Sequence, residues 1–169
     1  MTSTKTLILN ANQIQQKIDR IAYQIYENNF EEKEIIIAGI ASRGYILAER
    51  LAERLKEIAK IKMTLVKITV NKENPLEDEV KLSIKPKEFA GKVVLLVDDV
   101  LNSGKTLIYG LAPFLNVRVK RITTVVMVDR NHNRYPIKAD FVGLSLATTL
   151  KEHIEVDLSK KGKEAIYLV

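Results

Sequence analysis

The stretch that decides the fold is residues 93–106, which read VVLLVDDVLNSGKT. Its first five residues are apolar and predict a buried β-strand, and two adjacent carboxylates, Asp98 and Asp99, follow at once. A short polar turn then leads into a helix that we expect from about Lys105 to Leu115, with its last turn perturbed by Pro113. Strand, turn and helix in this order are typical of α/β proteins, whose ligands bind beyond the carboxyl ends of parallel strands.

The same alternation continues on both sides of this stretch. Apolar residues at helical spacing predict helices over 12–28 and 46–58, and apolar or β-branched runs predict strands over 34–40, 63–70 and 122–128. An exposed, mobile polar excursion at 71–79 precedes a returning edge strand at 80–84, and further strands are expected at 141–144 and 165–169. The order predicts an α/β fold with a mainly parallel central sheet flanked by helices, as a single domain over residues 1–169.

The composition is that of an ordinary folded chain with a basic surplus. Of its 169 residues, 46% are hydrophobic and 28% charged, which argues against wholesale disorder, and no apolar run approaches the roughly 20 residues that span a bilayer. The chain has no cysteine, which excludes disulfides, cysteine–zinc sites and cysteine nucleophiles and fits the reducing cytoplasm. The net charge of +6 permits an anionic partner, either a phosphorylated small molecule or nucleic acid; the alternative is a solvated basic surface.

The polar turn after the 93–97 strand has the groups that a phosphate needs. A turn at a helix N-terminus presents free backbone N–H groups, Gly104 permits close approach of the backbone, and the hydroxyls of Ser103 and Thr106 are further donors. Asp98 and Asp99 are suited to accept hydrogen bonds from vicinal hydroxyls, or to hold a magnesium ion through water. A phosphate beside a diol describes a ribose 5-phosphate. The alternative is a plain strand–turn–helix with Ser103 as the helix cap.

A second loop of the same kind follows the 34–40 strand. Residues 38–45 read AGIASRGY, in which two glycines, Ser42 and Arg43 are suited to hold a second anion. The alternative is a tight turn that uses the glycines for positive φ. Two such loops at one sheet edge favour a ligand with two phosphate groups.

These segments resemble the type I phosphoribosyltransferases. Residues 93–107 are similar to the signature of that family, and residues 39–53 and 128–143 are similar to a subgroup, the pyrimidine-operon attenuation regulators that double as uracil phosphoribosyltransferases. The resemblance covers nearly the whole chain. It implies a type I phosphoribosyltransferase-like fold with a small flexible-loop or hood region, and a homodimer or larger homo-oligomer.

The resemblance also implies a substrate, a metal and residue roles. The substrate would be 5-phosphoribosyl-1-pyrophosphate with Mg²⁺, and a nucleobase would attack ribose C1 as pyrophosphate leaves. Asp98 and Asp99 would bind the ribose hydroxyls and, through water, the metal, while Arg43 and Lys72 would supply cationic contacts. The 5-phosphate would lie in a loop of Leu101, Asn102, Ser103, Gly104, Lys105 and Thr106, and the pyrophosphate in a loop of Ala41, Ser42, Arg43 and Gly44.

Three further positions bear on the base. Asp129 and Arg130 follow the 122–128 strand and would lie near the base and the pyrophosphate; the alternative is a local surface ion pair. In the hypoxanthine–guanine branch of the family an aspartate at the position of Asn102 serves as acid or base. An amide does not exchange protons near neutral pH, which favours a pyrimidine such as uracil over a purine.

The loop at 68–76 and the first helix depart from the relatives. Tyr-Arg-Asp-Asp follows the threonine of a catalytic loop in those proteins, whereas residues 71–74 here read NKEN. The regulators expose Arg and His on the first helix, whereas the basic residues of this helix are Lys17 and Arg20. The candidate RNA contacts are Arg20, His132, Arg134 and Lys138. Three hypotheses follow: a uracil phosphoribosyltransferase, a nucleotide-sensing RNA-binding attenuation regulator, and a binder of phosphorylated ribose without turnover.

Overall fold

The computed structural model describes residues 4–169 and contains two sheets and three α-helices in that range. The elements are, in chain order, β1 (Thr6–Leu9), α1 (Ala11–Asn29), β2 (Glu34–Ile40), α2 (Arg43–Ile58), β3 (Lys62–Thr69), β4 (Lys81–Leu82), β5 (Val93–Leu101), α3 (Lys105–Leu111), β6 (Arg121–Asp129), β7 (Phe141–Ser145), β8 (Ile154–Asp157) and β9 (Ala165–Leu168). Short 3₁₀ helices span Pro86–Phe89 and Ala112–Asn116. Within residues 4–169, no helix is both long enough and apolar enough to span a membrane.

The larger sheet has six strands in the order β4-β3-β2-β5-β6-β7. All neighbouring strands are parallel except β4, which pairs antiparallel with β3 at one edge. The carboxyl ends of β2, β5 and β6 therefore meet at one edge of the sheet, where polar side chains follow each strand. The predicted α/β fold with a mainly parallel central sheet is confirmed.

Continuous apolar runs in the central strands are explained by helices on both faces. Along β2, Ile35 and Ile37 pack in the core formed with α1 and α2, whereas Ile36 and Ala38 pack in the core formed with α3 and the two 3₁₀ helices. Every one of these four side chains is fully buried. Strands covered on both faces lose the alternation of polar and apolar residues that marks a half-exposed strand.

The smaller sheet was not fully predicted from the sequence. It is antiparallel, in the order β1-β9-β8, and of its strands only β9 was expected. β1 and β8 have four residues each, of which only one in each strand is buried, and neither has a long apolar run. His153 and Val169 extend the β8–β9 pairing by two backbone hydrogen bonds of 2.9 Å. Pairing with β9 therefore fixes the residues that lead into β8, and β8 itself lies in contact with β5.

Helix boundaries differ from the predicted ones in ways that matter for the site. α2 begins at Arg43 and not at residue 46, so the second polar loop is itself the first turn of the helix. α3 ends at Leu111, and the chain continues as a 3₁₀ helix because Pro113 has no N–H to donate. The edge strand expected at 80–84 is only two residues long.

Candidate functional site

The carboxyl ends of the central strands surround an open cavity of about 500 Å³. Its lining combines residues from the loops after β2 and β5 with residues just before β8, namely Ala41, Ser42, Arg43, Lys72, Asp98, Asp99, Val100, Asn102, Thr106, Arg130, His153 and Ile154. A second cavity of about 180 Å³ lies against it and is lined by Lys72, Asp98 and residues 100–107. The structure thus brings together the two loops that the sequence singled out, with the carboxylate pair between them.

Asp98 and Asp99 are the central charged groups of this site. They lie within β5 and are only 3% and 6% exposed, respectively. Oδ1 of Asp98 accepts a hydrogen bond of 2.9 Å from the backbone N–H of Asp99. Burial, followed by repulsion from the neighbouring Asp99, raises the pKa of Asp98 well above its usual range, although Lys72 opposes the shift. A buried carboxylate pair of this kind calls for a cation or for hydroxyl donors from a ligand.

Two cations stand close to the carboxylates without contacting them closely. Nη1 of Arg43 lies 3.9 Å from Oδ2 of Asp99, and Nζ of Lys72 lies 3.9 Å from Oδ1 of Asp98. Both side chains are about half exposed and face the cavity. Ion pairs this long and this exposed are weak, so both cations remain available to an anionic ligand.

The loop between β2 and α2 reaches the carboxylates because Gly44 has no side chain. A Cβ at Gly44 would lie 2.8 Å from the carbonyl oxygen of Val97 and 2.9 Å from Oδ1 of Asp98. The preceding Ala41–Ser42 peptide bond is cis. Neither Gly39 nor Gly44 has positive φ, so the alternative of a turn that uses glycines for positive φ is wrong. Both glycines instead permit close packing, since a Cβ at Gly39 would lie 2.5 Å from Cα of Tyr45.

The loop between β5 and α3 depends on a glycine for a different reason. Gly104 has φ +88° and stands immediately before α3, in the left-handed region that other residues avoid. Oγ of Ser103 accepts a hydrogen bond of 3.2 Å from the N–H of Lys105. The carbonyl of Ser103 accepts from the N–H groups of Arg134 and Tyr135, so the 130–138 segment supports this loop from outside.

Gly104→Ala is expected to weaken binding of ribose 5-phosphate about tenfold. Left-handed backbone costs an alanine roughly 1–2 kcal/mol, and tenfold in affinity corresponds to about 1.4 kcal/mol. The added Cβ would also lie 2.6 Å from Cγ2 of Ile137. Calorimetric titration with ribose 5-phosphate measures the effect. Gly162→Ala is the control, because Gly162 also has positive φ but open space around it; equal affinity in the two variants would contradict a phosphate site at Gly104.

The excursion between β3 and β4 folds against the same loop. Nζ of Lys105 donates a hydrogen bond of 3.0 Å to the carbonyl of Glu73, which places Lys72 beside both cavities. Within the excursion, Asn71 accepts from the N–H of Asn74 and donates to Asp78, both at 3.0 Å. Hydrogen bonds from its own amide side chains and from Lys105 of the phosphate-loop candidate therefore hold this segment, which the sequence predicts to be an exposed polar excursion.

The structure places Arg130 and Asp129 differently from one another. Arg130 is 4% exposed and lines the cavity, whereas Asp129 is not among the lining residues and accepts from the N–H of Asn131. Among residues 4–169, Arg130 has no carboxylate within ion-pair distance, so the alternative of a surface ion pair between Asp129 and Arg130 is wrong. Its guanidinium donates instead to Thr148 Oγ1 at 2.8 Å, Asn102 Oδ1 at 3.1 Å, Thr149 O at 3.2 Å and Glu152 O at 2.6 Å.

His153 and Ile154 are cavity residues that sequence reasoning missed. They lie at the start of β8 and line the larger cavity opposite the phosphate-loop candidates. β8 has only two apolar positions, Ile154 and Val156, and the antiparallel sheet that positions it joins the first and last strands of residues 4–169. No local pattern in the sequence predicts that pairing.

The four candidate RNA contacts are not equivalent in the structure. Nη2 of Arg20 donates to the carbonyls of Val142 and Gly143 at 2.7 and 2.8 Å, so this side chain holds α1 against β7. Nε2 of His132 hydrogen-bonds to the carbonyl of Thr148, which requires the ring to carry its proton on that nitrogen. Arg134 and Lys138 are exposed.

The carboxylate pair fits a magnesium ion that is shared with a substrate. Across residues 4–169 there is no group of three or more His, Cys, Asp or Glu side chains that could hold a metal by itself. Asp98 and Asp99 nevertheless line the cavity with oxygen donors only. Mg²⁺ commonly uses one or two carboxylates together with water and substrate phosphates, and the residues present match that donor set.

Sequence comparisons match this chain to a family model and to curated proteins. The family model of the phosphoribosyl transferase domain matches residues 6–160. The chain is 38% identical to the bifunctional protein PyrR of Fusobacterium nucleatum, over 96% of this chain and 97% of that one. It is 36% identical to the bifunctional protein PyrR of Brevibacillus brevis, over 92% and 91% of the two chains. The residues matched to the family model include all those that line the larger cavity.

Solved structures share the fold at lower sequence identity. A hypoxanthine-guanine phosphoribosyltransferase from Bacillus anthracis superposes with a TM-score of 0.76 at 22% identity, covering 98% of both chains. The hypoxanthine phosphoribosyltransferase of Trypanosoma cruzi gives a TM-score of 0.78 at 16% identity, covering 100% of this chain and 93% of that one. The fold of this chain is therefore shared with these solved structures over nearly its whole length.

Proposed function

The chain belongs to the phosphoribosyltransferase family, and we propose that it transfers the 5-phosphoribosyl group of phosphoribosyl pyrophosphate to uracil and releases pyrophosphate. The observation that carries this proposal is the buried pair Asp98 and Asp99, which lies between two loops suited to bind anions, in two adjoining cavities. A donor with a diol, a 5-phosphate and a pyrophosphate has one chemical group for each of these three features.

Each part of the donor has a place in the cavity under this proposal. The ribose 2- and 3-hydroxyls donate to Asp98 and Asp99, and the 5-phosphate lies in the loop of residues 101–106, which lines the smaller cavity. The pyrophosphate lies at residues 41–44, with Arg43 as its charged contact. Asp98 and Asp99 would hold Mg²⁺ through water, and the ion would supply neutralisation of the charge on the leaving group.

The chain's own contribution to the reaction is positioning and electrostatics. The bond from the base nitrogen to ribose C1 forms as the bond from C1 to the pyrophosphate oxygen breaks, and the electron pair of that bond leaves with pyrophosphate. The nitrogen's proton passes to solvent. The carboxylates hold the ribose through its hydroxyls, and the half-exposed cations Arg43 and Lys72 stand where negative charge grows on the leaving group.

The choice of uracil rests on the polar groups around the acceptor. Asn102 stands where the purine branch carries an aspartate, and its Oδ1 accepts from Nη1 of Arg130. An amide held in this way neither gives nor takes a proton at neutral pH, so it does not act as an acid or base toward a purine. We place the acceptor between Asn102 and the His153–Ile154 wall of the cavity.

Release of pyrophosphate from the magnesium complex of phosphoribosyl pyrophosphate is the direct test. We expect release with uracil and none above background with hypoxanthine, guanine or adenine. The double variant Asp98→Asn/Asp99→Asn is expected to lose the uracil-dependent release by at least about 100-fold, because both hydroxyl acceptors lose their charge. Release with a purine alone would contradict the argument from Asn102, and equal rates in wild type and double variant would contradict the role of the carboxylates.

A second candidate function is RNA binding, which the resemblance to the attenuation regulators implies; the similar proteins cited above are named bifunctional. The exposed side chains Arg134 and Lys138 support it, whereas Arg20 and His132 are engaged within the fold. Binding to a hairpin RNA, measured with and without uridine nucleotide at several salt concentrations, tests this candidate. Phosphate contacts give a steep salt dependence, and Arg134→Ala/Lys138→Ala is expected to reduce it. The homo-oligomer and the cytoplasmic location stay predictions from the sequence.

A further inference from the structure

Arg130 joins the phosphate-loop candidate to the chain segment that walls the other side of the cavity. Its Nη1 donates to Asn102, which follows β5, while Nε and Nη2 donate to Thr148, Thr149 and Glu152. We call residues 147–153 the hood segment; it has no regular secondary structure and leads into β8. The backbone N–H of Arg130 also donates to the carbonyl of Leu101 at 3.0 Å.

This arrangement is costly for a residue that serves stability alone. Arg130 is 4% exposed, and the four oxygens that accept hydrogen bonds from its guanidinium are all neutral. Burying a guanidinium without a carboxylate partner costs desolvation free energy, which an apolar side chain of similar volume would not cost. Its planar fork, however, holds two separate segments, Asn102 and the hood segment, at fixed angles, which neither an apolar residue nor lysine can do.

His132 strengthens the same connection. Its Nε2 donates to the carbonyl of Thr148, whose hydroxyl oxygen accepts from Nε of Arg130. Thr148 is therefore fixed at both its backbone and its side chain by two residues that follow β6. The far end of the hood segment is fixed separately, by the two hydrogen bonds between His153 and Val169.

We propose that Arg130 is a positioning residue through which occupation of the 5-phosphate loop sets the hood segment. The inference rests on the proposed function, because it assigns the 5-phosphate to residues 101–106 and the acceptor to the hood side of the cavity. A phosphate bound in the loop holds Asn102 in place. Asn102 in turn holds Nη1 of Arg130, and the other nitrogens of that guanidinium hold the hood segment. The acceptor wall is thus completed after the donor binds, and donor and acceptor affinities are coupled.

Amide hydrogen exchange with and without ribose 5-phosphate tests the coupling without requiring turnover. In the wild type, the ligand is expected to slow exchange at residues 101–106 and also at the hood segment, the latter by at least about fivefold, the lower end of ordinary coupling between sites. In Arg130→Gln, protection at 101–106 is expected to persist and protection of the hood segment to disappear. Thr148→Val removes one acceptor from a half-exposed side chain and is expected to halve the effect or more without endangering the fold.

Arg121→Gln is the matched control, since Arg121 lies at the opposite end of β6 and contacts Asn28 and Asn29. It is expected to retain the full response of the hood segment. Arg130→Lys keeps the charge but not the fork, so it is expected to lose the response as Arg130→Gln does. In steady-state kinetics, both Arg130 variants are expected to raise KM for uracil about tenfold and to change the dissociation constant of ribose 5-phosphate less than about threefold.

Protection at 101–106 without protection of the hood segment in the wild type overturns the proposal alone. So does equal protection of the hood segment in wild type and Arg130→Gln. Absence of protection at 101–106 in the wild type contradicts the phosphate assignment, and the coupling proposal falls with it. Wild-type protection of both segments without pyrophosphate release from any base leaves the coupling supported and the proposed activity contradicted.

Discussion

Asp98→Asn is expected to stabilise the fold at pH 7 while lowering kcat/KM for pyrophosphate release by at least about 100-fold. Burial and the adjacent Asp99 raise the pKa of Asp98 well above its usual value of 3.8. An acid of raised pKa binds its proton more tightly in the folded chain, so the free energy of unfolding falls as pH rises from about that value toward the folded pKa. In Asp98→Asn this pH-dependent loss of stability is absent, and so is the negative charge that would hold the ribose.

Thermal unfolding between pH 4 and pH 8, alongside kinetics at pH 7, measures both effects. The stabilisation is expected to be largest at high pH and to shrink toward pH 4, where wild-type Asp98 regains its proton. Asp157→Asn is a control of opposite sign: hydrogen bonds from Ser159 lower the pKa of Asp157, so its removal is expected to reduce stability at pH 7. Asp157 lies outside the cavity lining, and its variant is expected to retain activity. A destabilised Asp98→Asn protein would contradict the argument.

Gly44→Ala is expected to lower the free energy of unfolding by about 3 kcal/mol and kcat/KM by at least about 100-fold. The new Cβ would meet Val97 O and Asp98 Cα and Oδ1 at 2.8–2.9 Å, and two of these three atoms belong to the backbone of a central strand. Strand β5 cannot move aside because β2 and β6 pair with it on both edges. Helix α2 must therefore shift, which carries Arg43 and the candidate pyrophosphate loop away from the carboxylates.

Chemical denaturation and pyrophosphate release measure the two parts of this prediction. Gly110→Ala is the matched control, because the atoms nearest to its Cβ belong to side chains and not to the backbone: Ile40 Cδ1 at 3.0 Å, Ile40 Cγ1 at 3.5 Å and Leu96 Cδ1 at 3.8 Å. Alanine also favours the helix by about 1 kcal/mol over glycine, so the control is expected to stay within about 1 kcal/mol of wild type. If both variants behave alike, close packing at Gly44 is not what positions the loop.

The central sheet was predictable because its signals are local. The apolar runs of β2, β5 and β6 end at polar residues, and parallel strands bring those ends together at one edge. The two candidate loops and the carboxylate pair accordingly line two adjoining cavities at this edge, as their positions after strands predict. Gly104 also has the positive φ that a glycine before a helix suggests.

The hood side of the cavity was not predictable in the same way. β1 and β8 are short, with one buried residue each, and they are defined by pairing with β9 rather than by their own pattern. Arg130 was expected among the residues near the base, but its partners lie 18 to 28 positions away along the chain. Hydrogen bonds between distant segments leave no periodic trace in a sequence, so the structure was needed to show that its guanidinium joins two loops.

The antiparallel sheet has a consequence for the order in which the site is assembled during synthesis. β1 is synthesised before every other element that the structure describes, whereas its partner β9 is the last of them, so β1 cannot pair until all the elements between them have been made. The parallel sheet and both anion loops are complete once β7 has emerged at Ser145. A nascent chain of this length already has the groups that would bind the donor, whereas the wall that would receive the acceptor closes last, after the most distant contact of the fold has formed.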